Sequence, residues 1–505
     1  MRSRSALDGS GPAPYHALMS APTRRVLALA PMPPEKSAYA LARYSRSADA
    51  IEDSLRWVHA HSSEKFWEQF YFDYGHASIA DLGHVIICFE GISELAAIHI
   101  EDETLWDGQA KSSRYQDFGP GGVFVPETIL ATPVEGTYRG IATCLHRAYE
   151  ALHGPIKEYL CRTTPKPEAM KPAPYERTMA ARTFDITRYL LTLASQTNVG
   201  QVVSIRTLEK QITRLLSLPV VELQAIGEDL KKACASPPLN LWGELCGQPA
   251  GLNEPLAPTL ARYARPNDYL SKTYPALKQF VSERLRLSAI HVSEPVELIE
   301  AHDPLDELAS TLLYRVSAYP YKQILAAVQD WQEKDKSELL EVALQHRGPH
   351  DDLLKEFHCG YRFIFDILMD LGGWRDLHRH RRCQQIRQDF TTIHGYETPA
   401  VLASAGLAEQ YHKTMSVVGE QIEGLAVSHP EAAAYLTPFG FRTRCLFKMD
   451  YAEAEYIARV RSGVKGHFSY RRIAWLIQQA LQRCFPALGK RVHATPPEIE
   501  DTLTR

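Results

Sequence analysis

No run of about 18 uncharged apolar residues occurs in this 505-residue chain, because Glu90 and Glu94 interrupt the best candidate. A membrane-spanning helix is therefore not expected. The segment from Met1 to Pro22 contains arginines but no apolar core, so it does not resemble a secretion signal. The nine cysteines include no Cys-x-x-Cys pair, and this favours a reducing, cytoplasmic compartment over a disulfide framework.

Common phosphate-binding and nucleophile motifs are also missing. No G-x-G-x-x-G follows the first predicted strand, and neither the P-loop pattern nor G-x-S-x-G occurs. The net charge of -4 and the pI near 6.6 give no overall attraction to nucleic acid or to an anionic membrane. Any recognition of phosphate therefore depends on local clusters of arginine.

The remaining composition is that of a folded protein. Apolar residues make up 45% of the chain and charged residues 23%, which allows a core of normal size. The length predicts two or three domains. Residues 1–22 are rich in Ser, Gly, Pro and Ala and are expected to be mobile. A cluster of prolines between Pro237 and Pro266 predicts a connector near the middle of the chain.

The pattern before the connector recurs after it. A short strand at Val26–Ala30 and a helix ending near Tyr44–Ala48 precede the first series of elements. A strand at 296–300 and a helix opened by Pro304 follow the connector at a constant offset of 270 residues. Further predicted elements are a strand at 85–89 and helices at about 51–72, 136–160, 196–216 and 220–235.

Four sets of residues carry chemistry. The first is Gly75-His76-Ala77-Ser78 with Phe89-Glu90-Gly91-Ile92-Ser93, the second is Ser112-Ser113-Arg114-Tyr115, and the third is Arg379-His380-Arg381. The fourth set occurs twice. Its first occurrence is Arg182 with Asn198, and its second is Leu436-Thr437-Pro438 with Met449-Asp450 and Arg461. In this order they resemble the motifs of the flavin-dependent thymidylate synthase (ThyX) family, including both ends of its signature RHRxxSxNExSxRY. The resemblance also implies a strand at Phe363–Asp370, upstream of Arg379-His380-Arg381. The matches cover most of residues 24–490.

The resemblance implies an α+β fold made of two tandem, diverged copies of the ThyX fold, each a mixed sheet flanked by helices. The expected organisation is a mobile segment at 1–22, copy one at 23–235, a Pro-rich connector with a helix at 236–290, copy two at 291–492 and a tail at 493–505. A homodimer of the chain would then form a pseudo-tetramer.

Neither copy keeps the whole signature. Asp102-Glu103-Thr104 stands in copy one where copy two has Arg379-His380-Arg381, at an offset of 277, and an acid pair there would repel a pyrophosphate. A competing alignment of Gln116-Asp117-Phe118 with Gln388-Asp389-Phe390 gives an offset of 272. In copy two, Gln384, Ile386, Arg387 and Asp389 replace the later residues of the signature. Ala434 is placed opposite Arg182, and Glu209 opposite Arg461.

These complementary losses predict one composite site between the copies. Copy two would supply Arg379, His380, Arg381, Asp450 and Arg461, and copy one would supply Ser78, Ser112, Arg114, Tyr115, Arg182 and Asn198. His380 and Arg461 are the predicted catalytic residues. The predicted cofactor-binding residues are Arg379, His380, Arg381, Asn198, Asp450 and Ser78, and the predicted substrate-binding residues are Ser112, Arg114, Tyr115, Arg182 and Arg461. Arginine suits phosphate because its planar fork binds two oxygens and stays charged.

The implied activity is the methylation of dUMP to dTMP with FAD, NADPH and 5,10-methylenetetrahydrofolate. The chain has no Pro-Cys-His unit of the kind that folate-only thymidylate synthases use, in keeping with a flavin route. Two alternatives are a related flavoenzyme for another pyrimidine and a non-catalytic nucleotide-binding or assembly protein. Taken alone, Arg379–Arg382 is also typical of a solvated basic loop or an RNA-binding patch. His378, His380 and Cys383 lack a fourth ligand for zinc at a usual spacing.

Overall fold

The computed structural model describes residues 32–44, 51–68, 77–119, 122–239, 255–285, 287, 290–299, 303–348, 351 and 353–503. The chain divides into the units Met1–Met32 and Pro33–Arg505, and all that follows concerns the second unit. The predicted strand Val26–Ala30 lies outside the described residues, as do residues 45–50 and 69–76.

Strands and helices alternate in both halves of the described chain. The strands are β1 (His84–Ser93), β2 (Asp107–Ala110), β3 (Gln196–Ser204), β4 (Val296–Ile299), β5 (Phe363–Asp370), β6 (Gln384–Arg387) and β7 (Arg442–Met449). The helices of the first half and the connector are α1 (Pro34–Tyr44), α2 (Ile51–Ala60), α3 (Glu64–Phe66), α4 (Glu94–Glu101), α5 (Pro133–Thr163), α6 (Pro172–Thr187), α7 (Ile205–Ser217), α8 (Val221–Cys234), α9 (Pro258–Tyr263) and α10 (Asp268–Arg284).

The second half contributes α11 (Pro304–Arg315), α12 (Tyr321–Gln329), α13 (Glu333–Leu344), α14 (Leu371–Leu377), α15 (Ala400–Ser404), α16 (Ala408–Ala426), α17 (Pro430–Tyr435), α18 (Tyr451–Arg461), α19 (Phe468–Cys484) and α20 (Pro486–Gly489). Short 3-10 helices lie at Ala77–Leu82, Glu127–Ile129, Arg188–Leu190 and Lys355–Phe357. The predicted helices that open copy two and flank the connector are confirmed. The helix predicted at 196–216 is wrong in its first half, because the alternating apolar residues of 196–204 form β3.

Each copy contains one sheet, with the order β1-β3-β2 in the first and β4-β5-β7-β6 in the second. The α+β class and the two-copy architecture are confirmed, but every described strand pair is antiparallel, whereas mixed sheets were expected. The sequence could not distinguish these arrangements, since strand direction is set by which long connections cross the sheet.

A short polar residue lies at the end of β1, β3 and β5 or directly after β7, and it caps the helix that follows. Ser93 and Asp370 accept hydrogen bonds from backbone N–H groups at the starts of α4 and α14, over 2.9 and 2.6 Å. Ser204 and Asp450 do the same for α7 and α18, over 3.1 and 2.8 Å. Such caps satisfy donors that the helix itself leaves unpaired. The same local chemistry therefore generates the same strand-to-helix turn in both copies.

Strand register aligns the two copies residue by residue. Asp107 lies opposite Val202 in copy one, and Gln384 lies opposite Lys448 in copy two. These pairs and the four caps give offsets of 277 for the first part of each copy and 246 for the second. The offset of 277 aligns Arg379-His380-Arg381 with Asp102-Glu103-Thr104. The alternative offset of 272 does not agree with the strand register. Copy one has one extra residue, at a bulge where Gly91 has a φ of 66° that favours glycine.

A pseudo-two-fold axis passes between the copies. Thr192 and Pro438 are equivalent by the offset of 246, and they pair with each other in an antiparallel bridge. Backbone hydrogen bonds join Phe439 N to Leu191 O over 2.8 Å and Leu193 N to Thr437 O over 3.3 Å. An equivalent pair that meets itself is what a two-fold interface requires. One chain thus contains the kind of contact that two identical subunits would make.

The main apolar core is continuous across both copies, from Ala38 to Val492. A second cluster joins α10 of the connector to copy two through Leu277 and Phe280. Within the described residues, no helix is long and apolar enough to cross a membrane.

Candidate functional site

The loop after α14 brings the basic tripeptide of copy two against copy one. Arg379 Nη1 donates to Gln109 Oε1 over 3.0 Å. Arg381 Nη2 lies 3.6 Å from Asp107 Oδ1, and its guanidinium stacks 4.8 Å from the ring centre of Trp106. Gln109 and Asp107 belong to β2, so the tripeptide contacts the strand that is equivalent to its own β6. The predicted cofactor arginines therefore lie at the boundary between the copies.

His380 points inward and holds Arg461. The ring is 6% exposed, its Nδ1 lies 3.1 Å from Glu453 Oε1, and Arg461 Nε donates to its Nε2 over 2.7 Å. A guanidinium nitrogen can only donate, so Nε2 accepts, and Nδ1 carries the ring proton and donates a hydrogen bond to Glu453 Oε1. Both predicted catalytic residues are thus in direct contact. The described part of the chain offers no acceptor to Arg461 Nη1 or Nη2, so that edge of the guanidinium is available to a ligand.

Burial is the largest cause of a lowered pKa for His380, followed by the hydrogen bond to Glu453, which raises it, and by the charge of Arg461, which lowers it. The neutral ring at physiological pH is consistent with an acceptor role for Nε2.

A second chain of contacts extends from Arg461 to copy one. The guanidinium of Arg461 lies 5.6 Å from the ring centre of Tyr470, whose hydroxyl accepts a hydrogen bond from Arg114 Nη1 over 2.9 Å. Arg114 is 8% exposed and binds Asp185 with two nitrogens, over 2.7 and 3.2 Å. Burial is the largest single influence and lowers the pKa of Arg114, but the charge of Asp185 and the hydrogen bond to it together outweigh burial, so the pKa is raised. Arg114 is consequently engaged within the protein, and Tyr470 links it to Arg461.

The remaining predicted residues lie around this centre or apart from it. Asn198 caps the bulge of β1 by accepting from Gly91 N over 3.2 Å, and Ser112 Oγ accepts from Arg114 N over 3.4 Å. Tyr115 is 53% exposed. Asp450 caps α18, and its carboxylate also lies 3.6 Å from Arg382. The side chain of Ser78 lies outside the described part of the chain.

Arg182 is not the counterpart of Ala434. It contacts Thr164 and the backbone of Thr502 over 3.2 and 3.4 Å. The offset of 246 instead aligns Ala434 with Arg188, and Arg461 with Leu215 rather than Glu209. The family motif in copy one was therefore placed six residues too early.

Arg188 is the arginine that the motif search missed. It is 2% exposed and donates through Nη1 and Nη2 to Asp376 of copy two, over 3.2 Å in each case. Glu453, Tyr470 and Asp185 were also missed. Glu453 has a local signal, since it follows the cap Asp450 by three residues, as in a capping box. Tyr470 and Asp185 have none, because their partners are 356 and 71 residues away.

Acid is expected to destabilise the protein partly through His380. The unfolded chain takes up a proton near pH 6.5, whereas the folded protein does so at a lower pH. The stabilising contribution is therefore complete above about pH 6.5 and is lost as the pH falls towards the folded pKa. Urea unfolding at about pH 7.5 and about pH 5.5 should show a larger loss for the wild type than for His380→Gln, which keeps a donor and an acceptor. Equal losses would contradict this assignment of the buried neutral ring.

A scan against family models matches this chain twice, at residues 27–224 and 299–487, to the family described as Thymidylate synthase complementing protein (Thy1). The two matched segments correspond to the two copies and together exceed half of the chain.

Related proteins are similar over most of this chain. A UPF0159 protein of Chlamydia muridarum is 26% identical over 81% of this chain and 77% of its own length. Another UPF0159 protein, from Thermoplasma acidophilum, is 23% identical over 89% of this chain and 93% of its own. The crystal structure of the flavin-dependent thymidylate synthase ThyX from Helicobacter pylori, complexed with FAD and dUMP, shows 15% identity and a TM-score of 0.27, with coverage of 42% of this chain and 93% of that chain. This TM-score is too low to support a conclusion.

Proposed function

Because this chain belongs to the Thy1 family of thymidylate synthase complementing proteins, we propose that it is an FAD-dependent thymidylate synthase. The reaction is the methylation of dUMP to dTMP with methylenetetrahydrofolate and NADPH. It takes place at one composite site between the two copies. A homodimer, which would contain four copies of the fold, belongs to the same proposal.

The contact of the basic tripeptide with β2 of copy one is the observation that carries this proposal. Arg379 and Arg381 reach Gln109 and Asp107, and through Arg461 and Tyr470 the same loop connects to Arg114. Residues from both copies therefore surround one surface. Either copy alone would present only part of it.

The residues fit a flavin nucleotide at its anionic end. Arg379 is exposed, with Gln109 as its hydrogen-bond partner in the described residues. Arg381 is half-buried, and desolvation lowers its pKa, so an anion beside it would be favoured. FAD, when bound, supplies the redox chemistry, for which the protein needs no nucleophile of its own.

One residue, Arg461, is proposed to bind dUMP, and the residues around it hold its side chain in place. Arg461 offers two guanidinium nitrogens to the phosphate or the uracil oxygens of dUMP. His380 fixes its Nε, and Tyr470 supports the face of its guanidinium. Arg114 positions Tyr470 and does not itself reach the ligand. The proposed role of His380 is accordingly to hold Arg461, since both of its ring nitrogens are occupied.

Flavin binding tests this proposal first. Purified protein titrated with FAD should develop the flavin absorbance band between about 350 and 500 nm, and Arg379→Ala should weaken binding at least tenfold, as expected for loss of a charged phosphate contact worth roughly 1.5–3 kcal/mol. Arg382→Ala is the matched control, since this neighbouring arginine is exposed and lies outside the tripeptide.

The same titration separates the alternatives. Flavin binding together with dTMP formation supports the synthase, and flavin binding without activity on dUMP supports a flavoenzyme for another pyrimidine. If the protein does not bind FAD in this titration, both flavoenzyme functions are contradicted. The chain would then be a non-catalytic member of the family.

A further inference from the structure

Residues 493–503, the last that the structure describes, form a strap that joins the two copies and is named the C-terminal strap below. They lie beyond both segments that match the family model, 27–224 and 299–487. Val492, which precedes the strap, is 4% exposed in the main apolar core. Pro496 and Pro497 restrict the backbone that follows, and a segment with few free conformations loses little entropy when it docks.

At its copy-two end, the C-terminal strap binds the residue that follows Arg461. Thr495 N donates to Ser462 Oγ over 2.8 Å, and Ser462 is fully buried. Arg461 is the last residue of α18, and the last turn of a helix leaves carbonyl groups that have no partner within the helix. The strap therefore contacts the chain at the point where α18 would otherwise fray.

Arg471 bonds the strap and the end of α18 together. Its side chain belongs to a residue that is 2% exposed, and its Nε donates to Ser462 O over 3.0 Å. Its Nη2 donates to Ile499 O over 2.7 Å and to Pro496 O over 3.5 Å. Because the guanidinium is planar and rigid, one side chain fixes the distance between the strap and the end of the helix.

At its copy-one end, the strap lies against α6. Arg182 Nη1 donates to Thr502 O over 3.4 Å, and Thr178 Oγ1 donates to Leu503 O over 3.5 Å. Both donors belong to α6. These contacts account for the placement of Arg182, which the proposed dUMP site does not include.

A second connection between α6 and α18 runs beside the strap. Tyr470 precedes Arg471 on α19, and its ring centre lies 5.6 Å from the guanidinium of Arg461. The hydroxyl of Tyr470 accepts from Arg114, whose partner Asp185 lies on α6. Tyr470 therefore supports the side chain of Arg461, whereas Arg471 fixes the backbone directly after it.

We propose that the C-terminal strap positions Arg461 for dUMP, with Arg471 as the positioning residue that couples the strap to α18. This inference rests on the function proposed above. The strap fixes the backbone at Ser462 and His380 fixes Arg461 Nε, so the terminal nitrogens of Arg461 are held in one place. Release of the strap widens the range of positions of Arg461, and small displacements of a binding group are costly.

Hydrogen–deuterium exchange tests the strap without a ligand. Arg471→Met keeps the apolar stem and removes the donors, so the amides of the last turn of α18 and of Ser462 should exchange at least about tenfold faster, as the loss of charged hydrogen bonds predicts. Arg472→Met is the matched control, because this neighbouring arginine on α19 is exposed, and it should leave exchange unchanged. Unchanged exchange in Arg471→Met would overturn the proposal.

Ligand binding separates positioning from general destabilisation. Calorimetric titration should give a dissociation constant for dUMP about tenfold higher in Arg471→Met than in the wild type. FAD binding should be unchanged, because Arg379 and Arg381 lie on another element, the loop after α14. The double variant Arg461→Ala with Arg471→Met should bind dUMP no more weakly than Arg461→Ala alone. Equal losses of dUMP and FAD binding would indicate destabilisation and contradict a positioning role.

Ser462→Ala is a second variant that leaves the buried cation in place. It removes the acceptor of Thr495 N and should raise both the exchange rate and the dUMP dissociation constant about threefold, as expected for one neutral hydrogen bond. If Arg471→Met does not fold, Ser462→Ala decides alone, and normal exchange with normal dUMP binding would refute the proposal. If the wild type does not bind dUMP, the proposed function fails, whereas the exchange measurement still decides whether the strap holds the end of α18.

Discussion

Arg461→Ala is expected to lower dTMP formation by at least about 100-fold, the scale observed when a charged group that stabilises the reacting substrate is removed. Arg461 binds His380 through Nε, so its two terminal nitrogens remain available to the substrate. Copy one has Leu215 at the equivalent position and therefore supplies no second arginine there. The fold should survive, because the side chain is half-buried and lies at the end of α18. The measurement is steady-state kinetics with dUMP, alongside circular dichroism.

His380→Gln should reduce turnover less than Arg461→Ala, since a glutamine can still accept from Arg461 and donate to Glu453. The double variant should be no worse than Arg461→Ala alone if His380 acts through Arg461, because residues that act as a unit are not additive. Additive losses would instead show that His380 contacts the substrate itself. A pH profile adds a second readout, as only the wild type should lose activity when the histidine is protonated.

Arg459→Ala provides the matched control for this series. Arg459 lies on the same helix and pairs with Glu455 over 2.8 Å, but its side chain is 51% exposed. Such surface pairs contribute little. Normal activity in Arg459→Ala together with normal activity in Arg461→Ala would refute the proposed substrate contact.

Asp366→Ala is expected to lower the free energy of unfolding by about 3–5 kcal/mol, the usual result of removing one partner from a buried ion pair. Asp366 is fully buried in β5 and accepts from Arg444 Nη1, Tyr314 Oη and Tyr321 N over 2.8–2.9 Å. Its removal leaves the guanidinium of Arg444, which is 2% exposed, with Ser293 as its remaining side-chain partner. Urea unfolding followed by fluorescence measures the loss.

Asp389→Ala is a suitable control for Asp366→Ala. Its carboxylate also pairs with basic side chains, Lys278 and Arg315, yet it is 48% exposed. Solvent can replace these contacts, so the expected loss is small. A loss for Asp366→Ala no larger than the one for Asp389→Ala would mean that the interior network contributes little beyond packing.

Much of the architecture could be predicted from local sequence. The family resemblance placed β5 at its observed bounds, and Pro304 marked the start of α11, because the signal for each element lies within a few residues of it. The division of β3 from α7 could not be predicted in the same way. Residues 196–204 alternate in burial only because they lie between β1 and β2, and both partners are distant in sequence.

The sequence by itself determined that two diverged copies are present, that each lost part of a family signature, and that the basic tripeptide survives only in copy two. Residue identities and spacing suffice for such statements. Tertiary structure alone decided the register of the copies, the replacement of Arg182 by Arg188 as the equivalent arginine, and the occupation of both nitrogens of His380. These depend on hydrogen bonds and ion pairs between residues tens to hundreds of positions apart, and a local pattern contains no record of them.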